Sequence, residues 1–153
     1  MTLELEKYDY TPGESIKGIV KVNLKKPVEG RKLYVELIGK QIQRQSGISV
    51  ASMATGTARA SHSSNVRIVY RFDMPLDGEK TYHTGEYPFE IKIPPDILQS
   101  STAPTGEGKL GSAIKAAQML GGFSTRTDWI IQAQLDCPMK LDIKKSQKIV
   151  LSE

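Results

Sequence analysis

Tyr10-Thr-Pro-Gly-Glu-Ser15, followed by Ile16-Lys-Gly-Ile-Val-Lys-Val-Asn-Leu24 and, after a corner at residues 26–30, by Leu33-Tyr-Val-Glu-Leu37, decides how the chain is read. In the first run Ile16, Gly18, Val20, Val22 and Leu24 share one parity, and Lys17, Lys21, Asn23 and Lys25 share the other. Alternation over that length marks a half-buried β-strand, because successive side chains point to opposite faces. The second run moves its apolar residues to odd positions, Leu33, Val35 and Leu37, against Glu36 and Lys40. Pro12-Gly13 before the pair and the Pro27-Val-Glu-Gly30 corner supply turn chemistry. The expected strands are 14–26 and 31–44. Two such strands bury only one face, so the remaining chain must provide a second layer.

Working outward, Leu3 and Leu5 alternate with Glu4 and Glu6 in a short opening strand. Downstream, residues 46–64 are small and polar with no sustained period, which predicts a mobile loop. Val66, Ile68, Tyr70, Phe72 and Met74 then form an inward set, ended by a turn at Pro75–Gly78. Tyr87, Phe89, Ile91 and Ile93 form another, with Pro88 on its outer side, which argues for an edge, an entry position or a bulge there. Residues 96–125 read as an irregular and helical insertion, whose one convincing helix is Ser112–Leu120, stopped by Gly121-Gly122. Trp129, Ile131, Ala133 and Leu135 alternate with Gln132 and Gln134. Met139, Leu141 and Ile143 follow in the same manner, and Ile149 and Leu151 close the chain. Seven or eight strands with no strand–helix alternation predict an all-β, immunoglobulin-like antiparallel sandwich over 1–153, with one short inserted helix. Val20, Val22, Val35, Leu37, Phe72, Phe89, Ile91, Trp129 and Ile131 are its expected core.

The chain has 153 residues, 39% hydrophobic and 25% charged, enough for one domain with a core of its own. No run approaches the ~18 apolar residues of a membrane span. One cysteine, Cys137, and an acidic alternating N-terminus instead of a leader predict a cytoplasmic protein. The net charge of +4 and pI near 9.1 favour acidic partners.

Four segments, in order, resemble the N-terminal lobe of the arrestin-like family. Tyr10-Thr-Pro-Gly-Glu-Ser-Ile-Lys-Gly18 is similar to that family's Tyr-x-Pro-Gly-Glu-x-Val-x-Gly. Gly30-Arg-Lys-Leu-Tyr-Val-Glu-Leu-Ile-Gly39 resembles the strand that follows. Gly85-Glu-Tyr-Pro-Phe-Glu-Ile-Lys-Ile-Pro-Pro95 resembles the Phe-Pro-Phe-x-Phe-x-Leu-Pro strand, and Trp129–Leu135 takes the place of the next. The likeness is to the α-arrestin, retromer-subunit and sporulation-control branches. Receptor-binding arrestins have an Arg-Asp-Tyr stretch where this chain has Tyr10–Glu14, so their charge switch does not carry over. The resemblance implies a scaffold or adaptor that binds protein partners and catalyses nothing. Members usually carry two lobes, and this length holds one.

Chemistry of other kinds finds little support. Gly106-Glu-Gly-Lys-Leu-Gly111 fits a dinucleotide-binding spacing but does not directly follow a strand, so no cofactor is expected. His62 and His83 lie apart, with no paired spacing for a metal. Ser46, Ser61 and Ser63 lack a rigid mount for nucleophilic work, and Cys137 lacks a neighbouring base. No catalytic residue and no small-molecule substrate are expected. The lysines remain. Lys17, Lys21 and Lys25 project from one strand face, Lys26, Arg31 and Lys32 carry the charge around the corner, and Lys140, Lys144, Lys145 and Lys148 form a second group. They either protect strand edges from aggregation or bind acidic or phosphorylated segments of a partner. The alternative of another class is a basic sandwich binding nucleic acid or, peripherally, an anionic membrane surface. The apolar helix, with Ile114 and Leu120, either covers its own sheet or joins two chains as a homodimer.

Overall fold

The computed structural model of the chain describes residues 1–48, 60–100 and 123–152. Its elements are β1 (Thr2–Leu5), β2 (Asp9–Tyr10), β3 (Ser15–Gly30), β4 (Lys32–Ile48), β5 (Ala60–Asp77), β6 (Lys80–Lys92), α1 (Ile97–Ser100), β7 (Phe123–Asp136) and β8 (Ile143–Leu151). A three-stranded sheet, ordered β1-β3-β6, packs on a five-stranded one, ordered β2-β8-β7-β4-β5. All pairings are antiparallel except β2 with β8, a two-residue parallel bridge. The sandwich class is therefore as expected.

One long hairpin builds both sheets. β3 pairs with β6 and β4 pairs with β5, and the register continues across the fold: Gly30 faces Lys80 on one side and Leu33 faces Asp77 on the other. Only Arg31-Lys32 and Gly78-Glu79 are skipped. The two arms are creased together at that point, and the halves close on each other. The Arg31 guanidinium bonds the Asp136 carboxylate at 2.8 Å, and the Arg31 amide N–H donates to the Asp136 carbonyl at 2.8 Å, which ties the crease to the end of β7. The corner expected at Pro27–Gly30 thus belongs to β3. There the pairing jumps from Asn23–Thr84 to Val28–Tyr82, so residues 24–27 bulge out opposite His83 alone, and Pro27 is accommodated without a ladder bond.

At the opposite end the Tyr10–Ser15 stretch makes the passage between sheets. Thr11 to Glu14 is a β-turn closed by the Glu14 amide N–H to the Thr11 carbonyl, 3.1 Å, with Gly13 at φ 90°. A positive φ at that place calls for glycine, and Pro12 presets the residue before it. The Glu14 carboxylate accepts from the Thr11 amide at 2.8 Å and from Lys7 Nζ at 2.8 Å, which holds its carboxyl below the usual range. Tyr10 is buried, and its hydroxyl donates to the Lys7 carbonyl at 2.8 Å.

Val20, Val22, Val35, Leu37, Phe89, Ile91, Trp129 and Ile131 are buried as expected, with Ile16, Leu33, Tyr82, Ile93, Ala133, Leu135 and Ile149. Phe72 is a correction: it is 44% exposed. β5 ends its sheet, so Phe72 lies one strand beyond fully covered Leu37 and meets solvent on its free side. Val66 and Ile68 are not inward either. Between Gly39–Tyr70 and Lys40–Ile68 the pairing skips Val69, and this one-residue bulge sends Val66 and Ile68 to the opposite face of the sheet.

Several bounds also differ. β4 and β5 run into the stretch read as loop, pairing Ser46 with His62 and Ile48 with Ala60, and only 49–59 lies outside the described residues. β5 continues through Pro75 to Asp77, leaving Gly78-Glu79 as the turn. His83 sits within β6, opposite the bulge. Met139 and Leu141 belong to no strand. Met139 has φ 57° and projects fully into solvent, in a turn that Asp142 fastens through the Cys137 amide at 3.1 Å and Gln134 Nε2 at 2.7 Å. α1 lies in the stretch read as irregular, and its Ile97 completes the core. The Ser112–Leu120 helix and the 106–111 glycine motif fall outside the described residues.

Candidate interaction surfaces

The outer face of the three-stranded sheet carries the first lysine group, and its neighbours change that group's meaning. Lys17 stands opposite Glu90 and Lys21 opposite Glu86 on β6, while Lys21 Nζ bonds Glu4 of β1 at 2.8 Å. The hydrogen bond that Lys21 donates to the Glu4 carboxylate, and the negative charge there, raise the Lys21 pKa. Positive β3 is thus flanked by carboxylates on both sides, a cross-strand ladder in which opposite charges meet. Lys25 and Lys26 differ. The 24–27 bulge pushes both into solvent, and neither has an ion-pair partner among the described residues. Arg31 is engaged by Asp136, and Lys32 lies over the Tyr34 ring, 4.6 Å from its centroid. In the second group, Lys148 bonds Asp128 at 2.9 Å. Of the six basic residues that sequence spacing brought together, Lys21, Arg31 and Lys32 have partners and Lys17 stands opposite Glu90, whereas Lys25 and Lys26 stand opposite His83 alone. Ile114 and Leu120 lie outside the described residues.

Beside this ladder is a cleft of about 600 Å³, lined by Glu4, Glu6, Lys17, Gly18, Met74 and Phe89 among others. Its depth depends on Gly18, where a β-carbon would come within 2.5 Å of the Glu4 carbonyl oxygen. Lys80 sits 5.1 and 5.3 Å from the ring centroids of Tyr82 and Tyr87 and pairs with Asp77, and burial pushes Tyr82 up to about 12.

The outer face of the five-stranded sheet holds a group that sequence reading missed. Glu36 is 1% exposed although it points away from the sandwich core. Its carboxylate pairs with Arg71 of β5 and accepts from Gln132 Nε2 of β7 at 3.1 Å. Arg71 also reaches Asp73 at 3.3 Å. A carboxylate removed from water needs such partners. Parity placed Glu36 outside, and only the register with β5 and β7 reveals its burial. Among the described residues no group of three or more metal-ligating side chains converges, and no helix is long and apolar enough to cross a membrane.

Two creased antiparallel sheets, a Pro-Gly turn between them and surfaces of charged ladders and open strand edges describe an arrestin-type β-sandwich. The family described as Arrestin (or S-antigen), N-terminal domain, matches over residues 1–153, and the chain belongs to it. Among solved structures it is similar to Spo0M, the sporulation control protein from Bacillus subtilis, at 18% identity and a TM-score of 0.54. That alignment covers 99% of this chain and 48% of the other, so the chain spans about half of Spo0M's length. No curated protein matches the chain.

Proposed function

We propose that the chain is a non-enzymatic scaffold or adaptor module that holds an acidic or phosphorylated segment of a protein partner at the β3 corner. Lys25 and Lys26 carry the reading: they are exposed, adjacent and unengaged among the described residues, whereas Lys17 and Lys21 face glutamates. An ammonium with no carboxylate nearby has its full charge to offer, and paired surface charges have little left. Arg31 and Lys32, farther along, extend the field that an acidic segment would meet. The regulatory and adaptor character of the arrestin-like fold agrees with this role.

The test is a titration of fluorescent peptides, one acidic, one phosphoserine-containing and one neutral, at low and at physiological salt. The acidic or phosphorylated peptide should bind, more weakly as salt rises. Lys25→Glu with Lys26→Glu should reduce affinity by about tenfold or more, while Lys17→Glu with Lys21→Glu should change it little. Equal loss in both double variants, or none in either, overturns the assignment to the corner. Preferential binding to phosphatidylserine vesicles or to duplex DNA would replace the adaptor reading with that of an anionic-surface binder.

A further inference from the structure

The large apolar side chains that the described strands leave in solvent are at most 57% exposed, since neighbours on the sheet shelter part of each. Met139 and Leu141, in the turn between β7 and β8, are 105% and 94% exposed, so the chain shelters neither. The backbone holds them out. The Lys140 amide N–H donates to the Cys137 carbonyl at 3.4 Å and closes a turn with Pro138 second and Met139 third. Met139 has φ 57°, the one positive value at a residue other than glycine among the described residues. That place in a turn favours glycine or asparagine, and a methionine there is strained. Cys137 is buried, and the Asp142 carboxylate ties its amide to the Gln134 side chain, so two bare apolar groups stand on a fixed base. Strain that the surrounding structure over-determines is a mark of function.

We infer that this turn docks on an anionic lipid surface, with Met139 and Leu141 entering the interface and Lys140, Lys144 and Lys145 meeting the headgroups. Charge supports this partner. Lys144 faces Gln134 and Lys145 faces Ala133, so they stand on opposite faces of β8 and, with Lys140, bracket the tip. All three are exposed, and none has an ion-pair partner among the described residues. The carboxylates of the turn are engaged, Asp136 by Arg31 and Asp142 by its two hydrogen bonds. Glu29 and Glu79, beyond Pro138, share a hollow with Arg31 and Lys80. Cations left free in this way are drawn to anionic headgroups within a Debye length. Shape supports it as well. Two side chains on a convex tip offer far less than the roughly 800 Å² that each side of a stable protein interface buries. A fluid interface closes around any tip, and lysine stems lie along it. The inference does not depend on the Lys25–Lys26 reading, which concerns the other sheet. Vesicle binding counts against the adaptor role of that corner only where it runs through those two lysines.

Flotation with vesicles of phosphatidylcholine, alone or with about a quarter phosphatidylserine, tests it. The chain should float with the mixed vesicles, less as salt rises, and not with the neutral ones. Met139→Ser with Leu141→Ser should weaken binding about tenfold or more, as should Lys140→Gln with Lys144→Gln and Lys145→Gln. Val150→Ser, exposed but away from the turn, and Lys25→Gln with Lys26→Gln should change it little. Met139→Gly separates docking from folding: glycine accepts φ 57° without strain, so this variant should melt higher than the wild type and yet bind vesicles less well. A lower melting temperature would make Met139 a structural residue and end the inference. So would a wild-type chain that stays off mixed vesicles, equal flotation with neutral ones, or binding that the turn variants leave intact. Binding lost only with Lys25 and Lys26 would belong to the corner. A chain that ignores vesicles, but whose light-scattering mass rises with concentration unless Met139 and Leu141 are replaced, would give the turn to a second copy instead.

Discussion

Gly18 and Phe89 face each other across β3 and β6, and each is irreplaceable for an opposite reason. A β-carbon at Gly18 would meet the Glu4 carbonyl oxygen at 2.5 Å and the Phe89 ring at 2.8 Å. Gly18→Ala should therefore push β1 off β3 and cost about 1–3 kcal/mol, as overpacking does. Phe89→Ala empties a core site and should cost about 3–5 kcal/mol. Urea unfolding of each variant measures both. Asp128 gives a pH-dependent case. Its bond from Lys148, helped by Arg126, lowers its pKa, so its contribution is present above the unfolded carboxylate value near 4 and disappears as pH falls through the lower folded value. Both cations are more than half exposed, so the effect is small. Asp128→Asn should cost about 0.5–1 kcal/mol at pH 7 and almost nothing near pH 2. An equal loss at both pH values would show that the cost is packing and not charge.

At the scale of elements, β5 divides what the sequence could convey from what it could not. The parity of Ile16–Leu24, Leu33–Leu37, Tyr87–Ile93 and Trp129–Leu135 was legible because each strand lies inside a regular ladder, where period 2 maps directly onto faces. In β5 the alternation of Val66 through Met74 continues unbroken in sequence, while the backbone gains one residue at Val69. A bulge depends on the partner strand, so a single strand cannot announce it. The lysine face divides for the same reason. Lys17, Lys21 and Lys25 are equivalent by spacing, and only pairing with β1 and β6 separates the matched from the unmatched. Two further outcomes follow. Lys17→Glu with Lys21→Glu sets glutamate against Glu90 and Glu86 and should lower the melting temperature, whereas Lys25→Glu with Lys26→Glu should leave it nearly unchanged. Arg71→Ala, which strips the buried Glu36 carboxylate of its cation, should lower the denaturation midpoint more than Glu36→Gln, which removes the charge as well. The opposite order would mean that Arg71 matters through its packing.

For the whole molecule the decisive feature is the crease at Arg31-Lys32 and Gly78-Glu79. Because one hairpin supplies a strand pair to each sheet, the two layers do not have to find each other independently. Zippering can start where β4 meets β5 and pass into β3 and β6 without a second search through chain space, since the loop to be closed grows by only a residue or two at each step. Folding back then brings together faces whose registers are already set. Rates of β-sandwich assembly suffer from distant pairings, and here those outside the hairpin are the β4–β7 ladder and the brief β2–β8 bridge. The sandwich is thus two layers in space and one ribbon in time: the order of its assembly is written along the chain from residue 15 to residue 92, and the strands added afterwards only widen a body that has already chosen its inside.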